Sequence, residues 1–250
     1  MRLETLGGAG PRLVLVHGSV GFGRQAWSAQ EPLAERFRLA VATRSGYPPE
    51  RPCRVLDFEG QARELAAALQ PGDHLVGHSY GGVVALLAAA ARLQPLASLT
   101  VVEPPAFALA RGAPAVEEFL AAFDAFLARG PAEPRAYLEF FLPLVGSPLR
   151  LPDPLPEALE AGARAAIAER PPHEARIPLA ELCAAGLRTL VVSGGHHGAF
   201  DAVCDVLERE LEAQRAVLPG AGHAIPRLGE PFNLLLEAFV WATDPGVRPP

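Results

Sequence analysis

The chain contains no lysine; all 22 of its basic residues are arginine. That excludes Schiff-base chemistry and any phosphate loop that depends on a lysine ammonium. Cysteine is scarce as well. Cys53, Cys183 and Cys204 are odd in number, far apart and without a CxxC pair, so they supply neither a disulfide framework nor a zinc site, and no metal is expected. Basic residues form no cluster, and 28 acidic residues leave a net charge of −6. Without a positive stripe to follow phosphates, nucleic acid is not an expected partner. Long apolar runs are missing too: VVALLAAAA at 83–91 ends at Arg92, far short of the roughly 20 residues that cross a bilayer. It reads as a buried helix, and no membrane partner is expected. The opening MRLETLGGAG carries Glu4 and no apolar core of a signal peptide. These absences point to a reduced, cytoplasmic setting, a small-molecule partner, and a monomer or homodimer.

Half of the 250 residues are apolar, enough for a substantial core. Short β-like runs alternate with helical stretches. Strands are expected at 12–17, 38–43, 73–78, 98–103, 188–193 and 214–219, with a short edge strand near 2–6. Several runs are continuously apolar, as strands buried on both faces are. Helices are expected at 57–70, 80–92, 201–213 and 230–242. This is the pattern of an α/β protein with a doubly wound, mostly parallel sheet. Between Pro104 and Pro178 the rhythm breaks into three helical segments, 114–129, 134–142 and 154–169, punctuated by Pro and Gly. The domain reading is therefore a core of 1–105 and 178–243, a helical cap of 106–177 inserted into it, and a flexible tail at 244–250. Phe119, Leu120, Phe123, Phe126 and Leu127 stripe the first cap helix, a pattern that packing alone produces, but one placed where a lid over a pocket would lie.

The chemistry begins at Gly77-His78-Ser79-Tyr80-Gly81, a strand end followed at once by an apolar helix. G-x-S-x-G in that context is the nucleophile elbow: the serine takes a strained backbone, and the glycines let strand and helix approach. The Tyr80 N–H is one donor for an oxyanion. His17-Gly18-Ser19-Val20-Gly21 closes a neighbouring strand and offers the second donor from Ser19, with Val20 as the alternative. Gly220-Ala221-Gly222-His223 follows the last strand, where a general base reaches the serine. His17 is read as orienting its loop, His78 as packed beneath the elbow, His74 and His173 as solvated loop residues, and His196 and His197 as pocket lining.

HGSVG, GHSYGG and PGAGH, in this order and spacing, resemble the α/β-hydrolase superfamily over essentially the whole chain. The resemblance implies a Ser-acid-His triad, a helical cap and no cofactor. It also exposes a departure. The aspartate usual after the glycine of the penultimate strand is absent from SGGHHGAFD, where His196 or His197 stands instead. Asp201 comes later, at a position suited to a helix N-cap. Glu103 ends the preceding apolar strand, where a carboxylate is costly unless paired, as in family branches that carry their acid there. Glu103 is taken as the acid, with Asp201 as the alternative.

The expected activity is that of a serine hydrolase, cleaving a carboxylic ester or lactone of a small to medium, largely apolar compound through an acyl-enzyme. Trp27, Phe107, Phe141, His197 and Phe200 are the expected pocket walls. A thioesterase or carbon–carbon bond hydrolase with the same triad, or a non-catalytic small-molecule receptor on this fold, are the alternatives.

Overall fold

The computed structural model describes residues 1–50, 55–91, 95–130 and 132–243. Cys53, the expected helix end at Arg92 and the expected tail at 244–250 lie outside them. Seven strands form one sheet: β1 (Arg2–Leu6), β2 (Arg12–Val16), β3 (Arg38–Thr43), β4 (His74–His78), β5 (Ser98–Val102), β6 (Thr189–Ser193) and β7 (Gln214–Val217). Their spatial order is β1-β3-β2-β4-β5-β6-β7, parallel throughout except for β1, which runs antiparallel along β3.

The continuous apolar runs have a simple cause. Successive strand residues face opposite sides, and both sides are covered. Val14, Val16, Leu75, Leu99 and Val101 enter one core layer with Val83, Leu86 and Phe200, while Leu13, Leu15, Val76, Val102 and Val192 enter another with Phe232, Leu236 and Phe239. The first layer lies beneath α2 (Phe58–Ala68), α3 (Tyr80–Ala90) and α8 (Gly198–Leu211). The second lies beneath a 3₁₀ segment, Ser28–Glu35, and α9 (Glu230–Thr243). The sheet is therefore doubly wound, as the alternation of elements predicts.

Between β5 and β6 the chain builds α4 (Pro114–Leu127), α5 (Pro134–Leu144) and α6 (Glu157–Ile167), close to the expected bounds. Short helices not read from the sequence are α1 (Gly23–Ala26), four residues long, and α7 (Leu179–Ala184), six. The insertion has its own small core, in which Phe126, Tyr137, Leu138 and Leu142 pack with Ala163, Ala166 and Val20 of the loop after β2. A Cβ on Gly162 would stand 1.9 Å from the Val20 carbonyl oxygen, so α6 rests directly on that loop's backbone. Among the described residues, no helix is long and apolar enough to cross a membrane.

Candidate active site

Ser79 sits between β4 and α3 at φ 52° and ψ −127°, a conformation that costs an L-residue roughly 1–3 kcal/mol. The surrounding glycines make the turn feasible. A Cβ on Gly81 would meet the carbonyl oxygens of His17 at 2.3 Å and Val16 at 2.4 Å, and one on Gly77 would meet Gly81 O at 2.5 Å. Only bare backbone lets helix, elbow and neighbouring strand converge here.

The Ser79 hydroxyl lies 2.8 Å from His223 Nε2, and His223 Nδ1 lies 2.6 Å from Glu103 Oε2. All three side chains are buried. The loop after β7 thus brings the imidazole to the serine across 144 residues of sequence. The Phe200 ring stacks on His223 at 4.5 Å between centroids. Glu103 follows β5 with φ 44°, another strained position, and its Oε1 accepts the Gly194 N–H at 2.7 Å. Burial alone would raise the Glu103 pKa. The His223 hydrogen bond and charge, the Gly194 amide and His196 oppose it, and the net direction is downward, toward the carboxylate.

Asp201 is occupied elsewhere. It accepts from the Ser193 hydroxyl at 2.6 Å and pairs with Arg215 at 3.3 Å. It is not the N-cap of α8 either, because the helix starts three residues earlier and the His197 side chain caps it by accepting the Ala199 N–H. His196 stands where the family resemblance would place an aspartate. Its Nδ1 lies 3.3 Å from Glu103 Oε1, while its Nε2 donates to the Val145 carbonyl at 3.2 Å.

The loop after β2 is fixed by a buried polar network of which the sequence-based expectations included His17 alone. His17 donates from Nδ1 to Gly18 O at 2.7 Å and accepts the Arg44 N–H at Nε2, so it orients the loop and, with its pKa lowered chiefly by burial, stays neutral. The Arg44 guanidinium, fully buried, donates to Gly18 O and to Gln61 and forms an ion pair with Glu169 of the insertion. Glu169 also accepts from Ser19 Oγ at 2.5 Å and from the Tyr47 hydroxyl at 2.8 Å. The Val20 N–H donates to that same Tyr47 oxygen at 3.3 Å, which leaves the Ser19 N–H as the loop's free oxyanion candidate beside Tyr80. The one signal in the sequence was an arginine directly following an apolar strand, a placement that requires a buried partner.

His78 donates from Nε2 to the His223 carbonyl at 2.8 Å, buttressing the base from below. Burial, then the charge of His223, pushes its pKa down to about 3. The unfolded chain therefore binds a proton that the folded chain does not, and stability from this group is lost as the pH falls from about 6.5 toward 3. Urea midpoints measured across that window are expected to fall less steeply for His78→Gln than for the native chain. Equal slopes would remove His78 as a cause.

Two cavities open on Ser79. The walls of one, about 210 Å³, include Phe107, Phe119, Phe123, Phe141 and Phe200. The other, about 360 Å³, is bounded by His223, Phe141, Leu142, Leu159, Arg150 and Arg227, among others. Phe107, Phe141 and Phe200 thus stand where pocket walls were expected. Trp27 and His197 do not. Trp27 closes α1 and turns its ring into the core beneath the sheet with Leu33, Phe37 and Phe232. The His197 ring is spent on capping α8 and on edge contacts with Phe119 and Phe200. His74 is not solvated: it lies inside β4 with Nδ1 2.8 Å from Ser98 Oγ. His173 is only partly solvated: it is half-buried, and its ring packs edge-on against Phe123 in the wall of the smaller cavity.

Residues 13–238 match a model of the alpha/beta hydrolase family. A stretch of 106 residues is 33% identical to pimeloyl-(acyl-carrier protein) methyl ester esterase of Serratia marcescens, and it spans 42% of this chain but only 41% of that protein's length. Among solved structures, MenH from S. aureus superposes with a TM-score of 0.73 at 16% identity, over 97% of this chain and 99% of the other. An alpha/beta hydrolase from Sphaerobacter thermophilus superposes with a TM-score of 0.66 at 25% identity, over 95% of each chain.

Proposed function

The chain belongs to the alpha/beta hydrolase family, and from that premise we propose that it is a serine hydrolase cleaving a carboxylic ester or lactone of a small to medium, largely apolar acyl compound. The observation that carries this reading is the unbroken line from Ser79 through His223 to Glu103, at 2.8 and 2.6 Å. The His223 Nδ1–H donates a hydrogen bond to the Glu103 carboxylate, which fixes the tautomer, so Nε2 presents a lone pair to the serine hydroxyl. As the Ser79 oxygen attacks the substrate carbonyl carbon, its proton passes to Nε2. The carbonyl electrons move onto oxygen, where the Tyr80 and Ser19 amides stabilise the charge by about 3 kcal/mol each. Collapse breaks the bond to the leaving oxygen, which takes the proton from Nε2, and water then repeats the sequence on the acyl-enzyme. The aromatic cavity beside Ser79 supports an apolar acyl group.

A fluorophosphonate probe is expected to label Ser79, with labelling abolished in Ser79→Ala, and a panel of short-chain nitrophenyl esters is expected to be turned over. Saturable binding of the esters without labelling or turnover would make the protein a receptor and overturn the proposal.

A further inference from the structure

The two cavities share Ser19, Ser79, Phe141 and Val145, so the nucleophile stands at their junction. They differ in what borders them. Glu169 and Arg170 reach the smaller lobe, but their charges are already matched. Glu169 is paired with Arg44, and Arg170 with Asp57, Glu59 and Glu174. The larger lobe is bordered by Arg150 and Arg227 and by no carboxylate. Neither arginine has an ion-pair partner among the described residues. In a chain with a net charge of −6, two guanidinium groups at a cavity whose described lining holds no carboxylate are a local inversion of sign, and such a cavity raises the local concentration of anions.

The chemistry decides which arm of a substrate enters which lobe. The leaving atom must take its proton from His223 Nε2, so the leaving group departs on the side that His223 borders. His223 borders the larger lobe and not the smaller. Tyr80, whose amide faces the oxyanion, borders the smaller. Resting on the proposed hydrolase reading, the geometry points to a substrate in which an apolar acyl group, held in the aromatic lobe, is joined to an alcohol or thiol that carries a carboxylate or phosphate, held at Arg150 and Arg227. Guanidinium forks match either anion by paired N–H donors.

Hexanoyl esters of 3-hydroxybenzamide, 3-hydroxybenzoate and 3-hydroxyphenyl phosphate share one acyl arm and differ in the charge of the leaving group. The two anionic esters are expected to exceed the neutral one in kcat/KM by about three- to tenfold, the range that one or two exposed ion pairs supply. In Arg150→Gln/Arg227→Gln that ratio is expected to fall to about one, as it is in about 0.5 M salt, which shortens the screening length below the size of the lobe. The ranking of the benzoate and phosphate arms then says which anion the site was built for. A ratio at or below one in the native protein, or an unchanged ratio in the double variant, would overturn the inference. If none of the three esters is cleaved, the hydrolase reading fails instead. Calorimetric titration of the intact esters into Ser79→Ala then decides the charge preference: tighter anionic binding that disappears with the two arginines upholds it, and equal affinities sink it.

Discussion

Glu103→Gln is expected to lower kcat by about four orders of magnitude with the fold intact. The size of the effect follows from which atom the amide must present. The Gly194 N–H, 2.7 Å from Oε1, demands an acceptor there, so the Gln carbonyl oxygen stays at that position and its NH₂ faces His223. An NH₂ group at 2.6 Å can only donate, which forces the Nδ1 lone pair outward and moves the ring proton to Nε2. Nε2 then donates to the Ser79 oxygen where it should accept from it, and the base is lost without any movement of the backbone. Asp201→Asn, by contrast, is expected to retain native turnover, because that carboxylate serves Ser193 and Arg215. Steady-state kinetics on a nitrophenyl ester, with circular dichroism as the folding control, separate the two. Near-native turnover of Glu103→Gln would remove Glu103 from the mechanism.

The largest expected loss of stability is that of Arg44→Met. The guanidinium is wholly inaccessible to solvent and Glu169 is 5% exposed, so removing the cation strands a carboxylate inside the protein. Stranding one partner of such a pair costs about 3–5 kcal/mol, which lowers the melting temperature of a chain this size by roughly 10 °C. Activity is expected to fall with it, because Arg44 also holds the Gly18 carbonyl at 2.9 Å and so the loop that presents the Ser19 amide. A double variant, Arg44→Met/Glu169→Leu, distinguishes the two effects. Replacing both charges removes the desolvation penalty and is expected to restore much of the melting temperature, while kcat stays low because the loop has lost its anchor. Restored activity in the double variant would show that the network serves stability alone.

The sheet and the elbow were legible from sequence for a common reason: both are local patterns. Six expected strands reappear with ends displaced by at most two residues, since burial on two faces leaves uninterrupted apolar runs. The serine and the base announced themselves by glycines and by following strands. Glu103 was legible because a carboxylate closing an apolar strand needs a partner. The Arg44–Glu169 pair was not, for its members are 125 residues apart and nothing in either neighbourhood names the other. Trp27 was misread because composition cannot say on which side of the sheet a ring falls. His74 was misread because its alternating partner is Ser98 on an adjacent strand, a pairing that only the register reveals. His197 looked like a wall and is a cap, a role usually taken by Ser, Thr, Asp or Asn.

The acid's address has a wider meaning. β5 and β6 are neighbours in register, Val102 facing Val192, and the Glu103 N–H reaches the Val192 carbonyl at 3.0 Å. Two adjacent ends therefore stop at the same height above the sheet, and a side chain hung from either arrives at one point in space. In this chain the Glu103 and His196 side chains, carried by those two ends, meet 3.3 Å apart, so the place the imidazole needs filled lies within reach of either strand.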